Sequence, residues 1–157
     1  MQPLFTIGHS RHPIEKFLEL LLLHKIAHLV DVRTFPSSRL SPQFHRSALE
    51  PTLKAAGLQY HYEGKTLGGR GRESYEELRK TLPFRQALKD LENLSQSANT
   101  AIMCAEENPY QCHRRFLIAR SLWQDRDFRE ILHIRKDGEL VQEPGFGEQA
   151  VQLSLGW

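Results

Sequence analysis

The chain has 157 residues, of which 39% are hydrophobic and 25% charged, and its formal net charge at pH 7 is +2. This composition is typical of one compact domain and excludes a disordered protein. No apolar run approaches the ~20 residues that span a bilayer, and the N-terminus lacks a basic region and a cleavage site, so we expect no membrane segment and no signal peptide. Two cysteines cannot form a disulfide framework, and the expected compartment is the reducing cytosol.

Strand-like and helix-like segments alternate along the chain. Apolar, β-rich runs predict strands over 4–8, 28–33, 58–62 and 100–104. Helical spacing predicts helices over 13–24, 48–56, 74–80, 83–95 and 112–124. In the last helix, Phe116 and Leu122 are expected to face inward. Asp137-Gly138 predicts a hairpin that joins 130–135 to 139–142.

The alternation of strands and helices is typical of βαβ units and a parallel sheet. We therefore predict an α/β fold: a single three-layer domain over 1–143, with a mostly parallel sheet of four to five strands, helices on both faces and a C-terminal β-hairpin. Residues 144–157 are predicted to form a C-terminal tail. A glycine-rich loop, 67–72, follows the third strand.

Polar and reactive residues follow the predicted strands, whereas ordinary turns precede them. Because ligands of open α/β sheets bind beyond the carboxyl ends of the strands, residues that follow different strands are expected to share one crevice. The candidate site residues at this edge are His9, Ser10, Asp31, Arg33, Ser38, Arg39, Arg70, Cys104, Glu106, Cys112, His113 and Arg114.

The acidic and imidazole groups of this set are candidates for proton transfer. Asp31 and Glu106 have the chemistry of a general acid or base, and His9 can assist them. A structural alternative exists for two of these residues. Asp31 can hold Arg33 in a buried ion pair, and His9 can simply bind backbone at the end of its strand.

Basic residues are concentrated in one part of the chain. The segment 33–72 carries a net charge of +5, and arginine suits bidentate contact with phosphate or carboxylate. His113 and Arg114 open a predicted helix, where free backbone N–H groups favour an anion. These features predict an anion site built from Arg33, Arg39 and Arg114. The alternatives are a solvated basic face and arginines paired with carboxylates.

The two cysteines leave several functions open. A standard cysteine phosphatase loop is excluded, because its arginine would stand six positions after Cys104, where the chain has Tyr110. Cys104 is then either a nucleophile of another kind or a buried structural thiol. Cys104, Cys112, His113 and His9 offer soft metal ligands, but their spacing matches no common zinc module. We therefore assign no metal ligand and no cofactor from the sequence.

Several motifs in chain order carry a resemblance to a known family. They are Thr6-Ile7-Gly8-His9-Ser10, the stretch 29–39, Leu67-Gly68-Gly69-Arg70, Met103-Cys104-Ala105-Glu106 and Cys112-His113-Arg114. With these motifs, the chain resembles the domain-of-unknown-function 488 family over about residues 4–135.

The resemblance implies a small single-domain α/β protein of bacterial or archaeal type and specifies no reaction. It implies that the motif positions are His9, Ser10, Asp31, Arg33, Arg39, Cys104, Glu106, Cys112, His113 and Arg114. Where the family's pattern leads us to expect paired arginines, Gly71 separates Arg70 from Arg72.

The sequence as a whole favours an enzyme that acts on an anionic, phosphate-bearing substrate such as a nucleotide or nucleic acid. A non-catalytic nucleic-acid-binding module is the first alternative. A metal- or redox-dependent protein that uses Cys104 and Cys112 is the second. No membrane partner is expected, and the sequence does not specify the oligomeric state.

Overall fold

A computed structural model describes residues 1–146 of the chain. The strands are β1 (Leu4–Gly8), β2 (His28–Asp31), β3 (Gln59–Tyr62), β4 (Thr100–Cys104), β5 (Ile131–Ile134) and β6 (Leu140–Gln142). The α helices are α1 (Ile14–Leu23), α2 (Arg46–Ala55), α3 (Gly64–Leu67), α4 (Tyr75–Arg79), α5 (Leu82–Ser97) and α6 (Arg120–Arg126). Within 1–146, no helix has the length and apolar character needed to cross a bilayer.

The six strands form one sheet in the order β3-β2-β4-β1-β5-β6. Neighbouring strands are parallel except β6, which runs antiparallel to β5. The predicted α/β fold is thereby confirmed, and the predicted hairpin supplies the last two strands of the same sheet. Gly138 adopts a φ of +88° in the hairpin turn, a conformation that glycine accepts without strain.

Alternate residues of the central strands pack into two cores, one on each face of the sheet. On β4, Ile102 belongs to a core formed with α5 and α6, whereas Met103 belongs to a core formed with α1 and α2. Burial of each large apolar side chain contributes about 1.5–3 kcal/mol. This two-sided burial explains why the strands read as continuous apolar runs and confirms the prediction of helices on both faces.

The predicted helix over 112–124 differs from the structure in its first half. A π-helical segment, Arg114–Ala119, comes before α6. Phe116 does not face inward as predicted but is 39% exposed, because the side chains of Arg114 and Arg115 take the inward positions. Apolar spacing could not predict this, since it assigns inward positions only to apolar residues.

The residues after β6 continue to pack on the domain. Glu143 is buried, and Phe146 joins the core on the α5 and α6 face, with its ring centroid 6.1 Å from that of Trp123. Residues 144–146 of the predicted tail therefore contact the domain. The remainder of that tail, 147–157, lies outside the described residues.

The strand order creates a crevice between β2 and β4. From β2 the chain continues to β3, at one edge of the sheet. From β4 it continues in the opposite direction along the strand order, past β1 to β5. The loops after these two neighbouring strands therefore diverge. In open α/β sheets, such a divergence leaves a ligand-sized crevice at the carboxyl ends of the strands.

Candidate active site

Two adjoining clefts open at the carboxyl ends of β1, β2 and β4. The first, here the thiol cleft, encloses about 330 Å³ and is lined by residues that include Arg33, Arg70, Cys104, Glu106, Cys112 and His113. The second, here the His9 cleft, encloses about 540 Å³ and is lined by residues that include His9, Ser10, Ser38, Arg39 and Glu106. Ala105, Glu106 and Gln111 line both clefts.

The clefts bring together ten of the twelve candidate residues from the sequence, and the other two, Asp31 and Arg114, are buried behind them. A separate groove of about 430 Å³ is lined by Arg79 and Arg126, among others. It contains none of the candidates, and both of these arginines are paired with carboxylates. The candidate residues are therefore concentrated at the sheet edge.

Asp31 and Arg33 form a closed, buried ion pair at the end of β2. The Arg33 guanidinium donates to both carboxylate oxygens of Asp31, through Nε at 2.9 Å and Nη2 at 2.8 Å. The Arg33 backbone N–H and the Tyr60 hydroxyl donate to the same carboxylate, at 3.1 Å and 2.6 Å. Asp31 is fully buried and has its acceptor positions occupied, so the geometry favours a positioning role over proton transfer.

His9 completes this cluster as a neutral acceptor. Its Nδ1 donates to the Ser10 carbonyl at 2.8 Å, which leaves Nε2 to accept from Arg33 Nη1 at 3.3 Å. Burial, with the Arg33 charge beside it, lowers the pKa of His9 to about 4. At neutral pH the imidazole is therefore uncharged, and its lone pair helps to orient the guanidinium.

Arg114 is a second buried arginine with a different environment. Its Nη2 donates to the Glu107 carbonyl at 2.9 Å, its Nε to Thr6 Oγ1 at 3.2 Å, and its Nη1 to the Glu106 carbonyl. Among the described residues, no carboxylate lies within 4.0 Å of this guanidinium. Burial lowers the pKa of Arg114 to about 10, so the group remains charged at neutral pH.

The two cysteine sulfurs are the remaining partners of Arg114. Nη1 of Arg114 donates to Cys104 Sγ at 3.0 Å, and the backbone N–H of Arg114 donates to Cys112 Sγ at 3.5 Å. Cys104 ends β4, and Cys112 precedes the π-helical segment. In the structure a disulfide bond joins the two cysteines. A cation and N–H donors beside sulfur stabilise the thiolate form.

His113 extends the sulfur pair into the thiol cleft. Its Nε2–H donates to the Val32 carbonyl at 2.8 Å, and Nδ1 lies 3.8 Å from Cys112 Sγ. Burial lowers the pKa of His113, which favours a neutral ring with a lone pair on Nδ1. One ring nitrogen of His113 and the sulfurs of Cys104 and Cys112 lie within 4.8 Å of one another. This donor set suits either proton transfer to sulfur or a soft metal ion.

Glu106 is the candidate acid or base whose carboxylate has no hydrogen-bond partner among residues 1–146. It is exposed, and it lines both clefts. Its carbonyl reaches Arg114 because Gly8 lets the loop after β4 pack against β1: a Cβ at Gly8 would overlap that carbonyl. Glu106 therefore retains the freedom that proton transfer requires, while its backbone is fixed.

The glycine-rich loop brings Arg70 to the thiol cleft. Its backbone N–H donates to Thr34 Oγ1 at 3.2 Å. Cβ atoms at Gly68 and Gly69 would crowd Thr34 and His113, which explains the two glycines. Arg70 is exposed, and within the described part of the chain its guanidinium has no acceptor.

Three further candidates lie around the His9 cleft. Arg39 is exposed, and Ser10 and Ser38 are half-buried beside it. Ser10 has a φ of +49°, a strained conformation for a residue other than glycine. Its backbone N–H donates to the Ala105 carbonyl at 2.9 Å, which fixes the turn after β1 against the loop after β4.

Two arginines of the basic segment 33–72 have partners of their own within the domain. Arg33 is internally paired, and Arg46 stacks on Tyr62 at 4.9 Å from the ring centroid and lies 3.9 Å from Glu50. Of the other basic residues in this segment, Arg39 and Arg70 line the clefts, whereas Lys54, Lys65 and Arg72 do not.

The sequence did not identify some residues that support the site. Tyr60 binds the Asp31 carboxylate, and Thr6 accepts from Arg114 on the far side of the guanidinium. Thr6 also lies 2.7 Å from His133 Nδ1, whose other ring nitrogen is 3.0 Å from the buried Glu143 carboxylate. The only available signal was a polar residue inside an apolar strand, as in Thr6 and His133.

The fold and the clefts define an α/β protein with a doubly wound sheet and a polar crevice at its carboxyl edge. A family model described as domain of unknown function DUF488 matches residues 13–121, more than half of the chain. The chain therefore belongs to the DUF488 family, as its motifs indicate. Comparison with curated proteins and with solved structures gives no match.

Proposed function

We propose that this protein is an enzyme that binds an anionic, phosphate-bearing substrate in the thiol cleft and uses Cys104 as a nucleophile. The observation that carries this proposal is the environment of Arg114. This arginine is fully buried, has no carboxylate partner among residues 1–146, and directs Nη1 at Cys104 Sγ over 3.0 Å.

Burial of a charge without a counterion is unfavourable in free energy, so a negative group that neutralises Arg114 is expected. A thiolate at Cys104 would supply the missing negative charge. Such a thiolate is also the nucleophilic form of cysteine, and Cys104 lines a cleft that a substrate can enter. The same thiolate would therefore neutralise Arg114 and act as the nucleophile.

The other residues would divide the remaining tasks. Arg70 would bind the anion directly, and Arg33 would face it with an orientation fixed by Asp31 and His9. The Cys104 thiolate would form a bond to the electrophilic atom of the substrate, and the leaving group would depart with its electron pair and take a proton from solvent. Glu106 would then accept a proton from the water that cleaves the sulfur–substrate bond.

The reduced pair would be the active form, because a sulfur bonded to Cys112 has no thiolate with which to attack. We therefore expect the enzyme to act in the reducing cytosol. The sulfur pair itself also favours a second candidate function, a redox- or metal-dependent protein that uses Cys104, Cys112 and His113. Elemental analysis and thiol counts with and without reductant would test this candidate.

Alkylation of the reduced protein tests the main proposal whatever the identity of the substrate. We expect iodoacetamide to modify Cys104 at pH 7 at least about tenfold faster than free cysteine, which is only a few per cent thiolate at that pH. Pyrophosphate should slow the reaction through occupancy of the cleft. Peptide mass spectrometry would assign the modified cysteine.

Two arginines near each other in sequence provide the matched control. Arg70→Ala should remove the protection by pyrophosphate, whereas Arg72→Ala, whose side chain does not line the cleft, should retain it. A Cys104 thiol that reacts no faster than free cysteine, with no protection by pyrophosphate, would contradict the proposal.

Turnover provides the second test. Against phosphate esters and nucleotides, Cys104→Ser should lose activity by more than about 100-fold, while its melting temperature changes by less than about 4 °C. Cys112→Ser should keep its activity, since Cys112 is not the proposed nucleophile. Equal activity of Cys104→Ser and the wild type would contradict this role.

A further inference from the structure

The thiol cleft carries two aromatic side chains that the proposed chemistry does not use. Phe35 is 63% exposed and Tyr75 is 37% exposed, and both line this cleft. Most of the eight phenylalanines are buried, so Phe35 stands out on the surface. An aromatic side chain that remains in water at the mouth of a cleft has its face available for a planar ligand.

Phe35 is presented by backbone that is held on both sides. The Thr34 carbonyl accepts from the Tyr62 hydroxyl at 2.7 Å, and the Pro36 carbonyl accepts from the Arg46 N–H at 2.9 Å. The Phe35 carbonyl itself accepts from the Ser37 N–H at 2.8 Å. The ring is thus offered by a preorganised turn, which reduces the entropy lost on binding.

Tyr75 is also on a fixed element. It is the first residue of α4, whose N-terminus is closed by reciprocal bonds between Ser74 and Glu77. A Cβ placed on Gly69 would lie 3.0 Å from the Tyr75 hydroxyl, so the tyrosine stands directly beside the loop that carries Arg70. An aromatic group and a free guanidinium are therefore neighbours in this cleft.

The two clefts differ in chemical character. The thiol cleft combines Phe35 and Tyr75 with one free arginine, Arg70, whereas the His9 cleft has no phenylalanine, tyrosine or tryptophan in its lining but includes Arg11 and Arg39. Gln111 lines both clefts, and within 1–146 its side-chain amide has no hydrogen-bond partner. The thiol cleft therefore contains both an aromatic surface and a cation, as a ligand with a planar ring and a phosphate requires.

We infer that the phosphate-bearing substrate is a nucleotide unit, with its base against Phe35 and Tyr75 and its phosphate on Arg70. This inference rests on the proposed function and specifies its substrate class. Arginine binds phosphate, and the free amide of Gln111 can donate to and accept from the edge of a base. The volume of about 330 Å³ falls within the range of small-molecule sites.

Binding to AMP and to ribose 5-phosphate tests the role of the base, because the two probes share a sugar and a phosphate. Isothermal titration calorimetry on the reduced full chain should give AMP an affinity at least about tenfold higher, as stacking on aromatic side chains predicts. Phe35→Ala should remove about tenfold of the AMP affinity and leave ribose 5-phosphate unchanged. Phe35→Trp should restore the preference for AMP.

Leu40→Ala is the matched control, since Leu40 is an equally exposed apolar residue on the same loop but lines the His9 cleft. It should bind both probes as the wild type does. A short single-stranded oligonucleotide distinguishes a free nucleotide from a unit within a strand. Affinity for the strand tenfold above that for AMP would identify a nucleic acid, and equal affinity would identify a mononucleotide.

Failure of the inference and failure of the proposed function give different results. If AMP and ribose 5-phosphate bind equally and Phe35→Ala changes neither, the nucleotide inference is wrong while anion binding stands. If neither probe binds and pyrophosphate does not protect Cys104, the proposed function is wrong as well.

Discussion

Two buried arginines at the same crevice have opposite electrostatic environments: Arg33 lines it and Arg114 lies behind it. Arg33 faces a carboxylate that neutralises it, with contacts of 2.9 Å and 2.8 Å to Asp31. Arg114 is held by carbonyl oxygens, a hydroxyl and sulfur, with no carboxylate within 4.0 Å in the described part of the chain. The first arrangement is complete in itself. The second lacks a carboxylate, and in our proposal a thiolate at Cys104 in the reduced protein supplies the negative charge.

The largest expected effect on the free energy of unfolding comes from breaking the Asp31–Arg33 ion pair. Asp31→Asn leaves Arg33 buried without its counterion, which should lower the free energy of unfolding by about 3–5 kcal/mol in urea denaturation. Glu50→Gln, which removes an exposed partner of Arg46, should cost less than about 1 kcal/mol. A loss at Asp31 no larger than that of the control would contradict the structural role and favour the proton-transfer role instead.

The next effect concerns pH. Folding lowers the pKa of His9 from the ordinary 6.5 to about 4. As the pH falls from 6.5 to 4, His9 is therefore protonated in the unfolded chain but remains neutral in the folded chain. The resulting stability is fully present above pH 6.5 and is lost towards pH 4, by up to about 3 kcal/mol. His9→Gln should flatten this part of the stability profile. Parallel profiles for the wild type and the variant would contradict the assignment.

A smaller effect compares two tyrosine hydroxyls. Tyr60→Phe removes a bond to the Asp31 carboxylate and should cost about 1.5–3 kcal/mol, whereas Tyr62→Phe removes a bond to the neutral Thr34 carbonyl and should cost about 0.5–1.5 kcal/mol. Desolvation and the Asp31 contact raise the pKa of Tyr60, so it remains a donor across the working range. Thermal and urea unfolding would measure both, and equal costs would indicate that the carboxylate does not strengthen the bond.

The smallest effect in free energy is the most informative about Arg114. In a Cys112→Ser background, Arg114→Met should shift the midpoint of Cys104 alkylation upward by at least about one pH unit, or about 1.4 kcal/mol. Rates of iodoacetamide modification from pH 5 to 10 would measure it. An unchanged midpoint would mean that the guanidinium does not stabilise a thiolate. The proposed role of Arg114 in activating Cys104 would then be wrong.

The sequence predicts the fold well where apolar runs and glycines mark the strands. The bounds of β1 and β4 match the predicted 4–8 and 100–104. The location of the candidate residues at one edge also follows from the sequence, because parallel strands end on the same side of a sheet. The catalytic and binding roles of those residues remain predictions.

The sequence could not predict what each buried charge contacts. The partners of Arg114 depend on the path of the loop after β4, which Gly8 allows to approach β1. The π-helical turn at Arg114–Ala119 has no pattern in the apolar spacing, and Tyr60 reaches Asp31 only because β3 lies beside β2. These contacts arise from tertiary packing, which local sequence does not encode.

The backbone bonds from His9 to the Cys104 carbonyl and from Ser10 to the Ala105 carbonyl, each 2.9 Å long, carry the parallel ladder beyond the last residues of β1 and β4. The base of both clefts thus continues the sheet, whereas the segments 34–41, 67–75 and 105–113 contribute to the walls. Substitutions in 34–41 and 67–75 change the lining of the clefts and leave the proposed nucleophile Cys104 and its partner Arg114 in place. A directed-evolution library that varies only the segments 34–41 and 67–75 is therefore a suitable way to seek new ligand specificities in this fold.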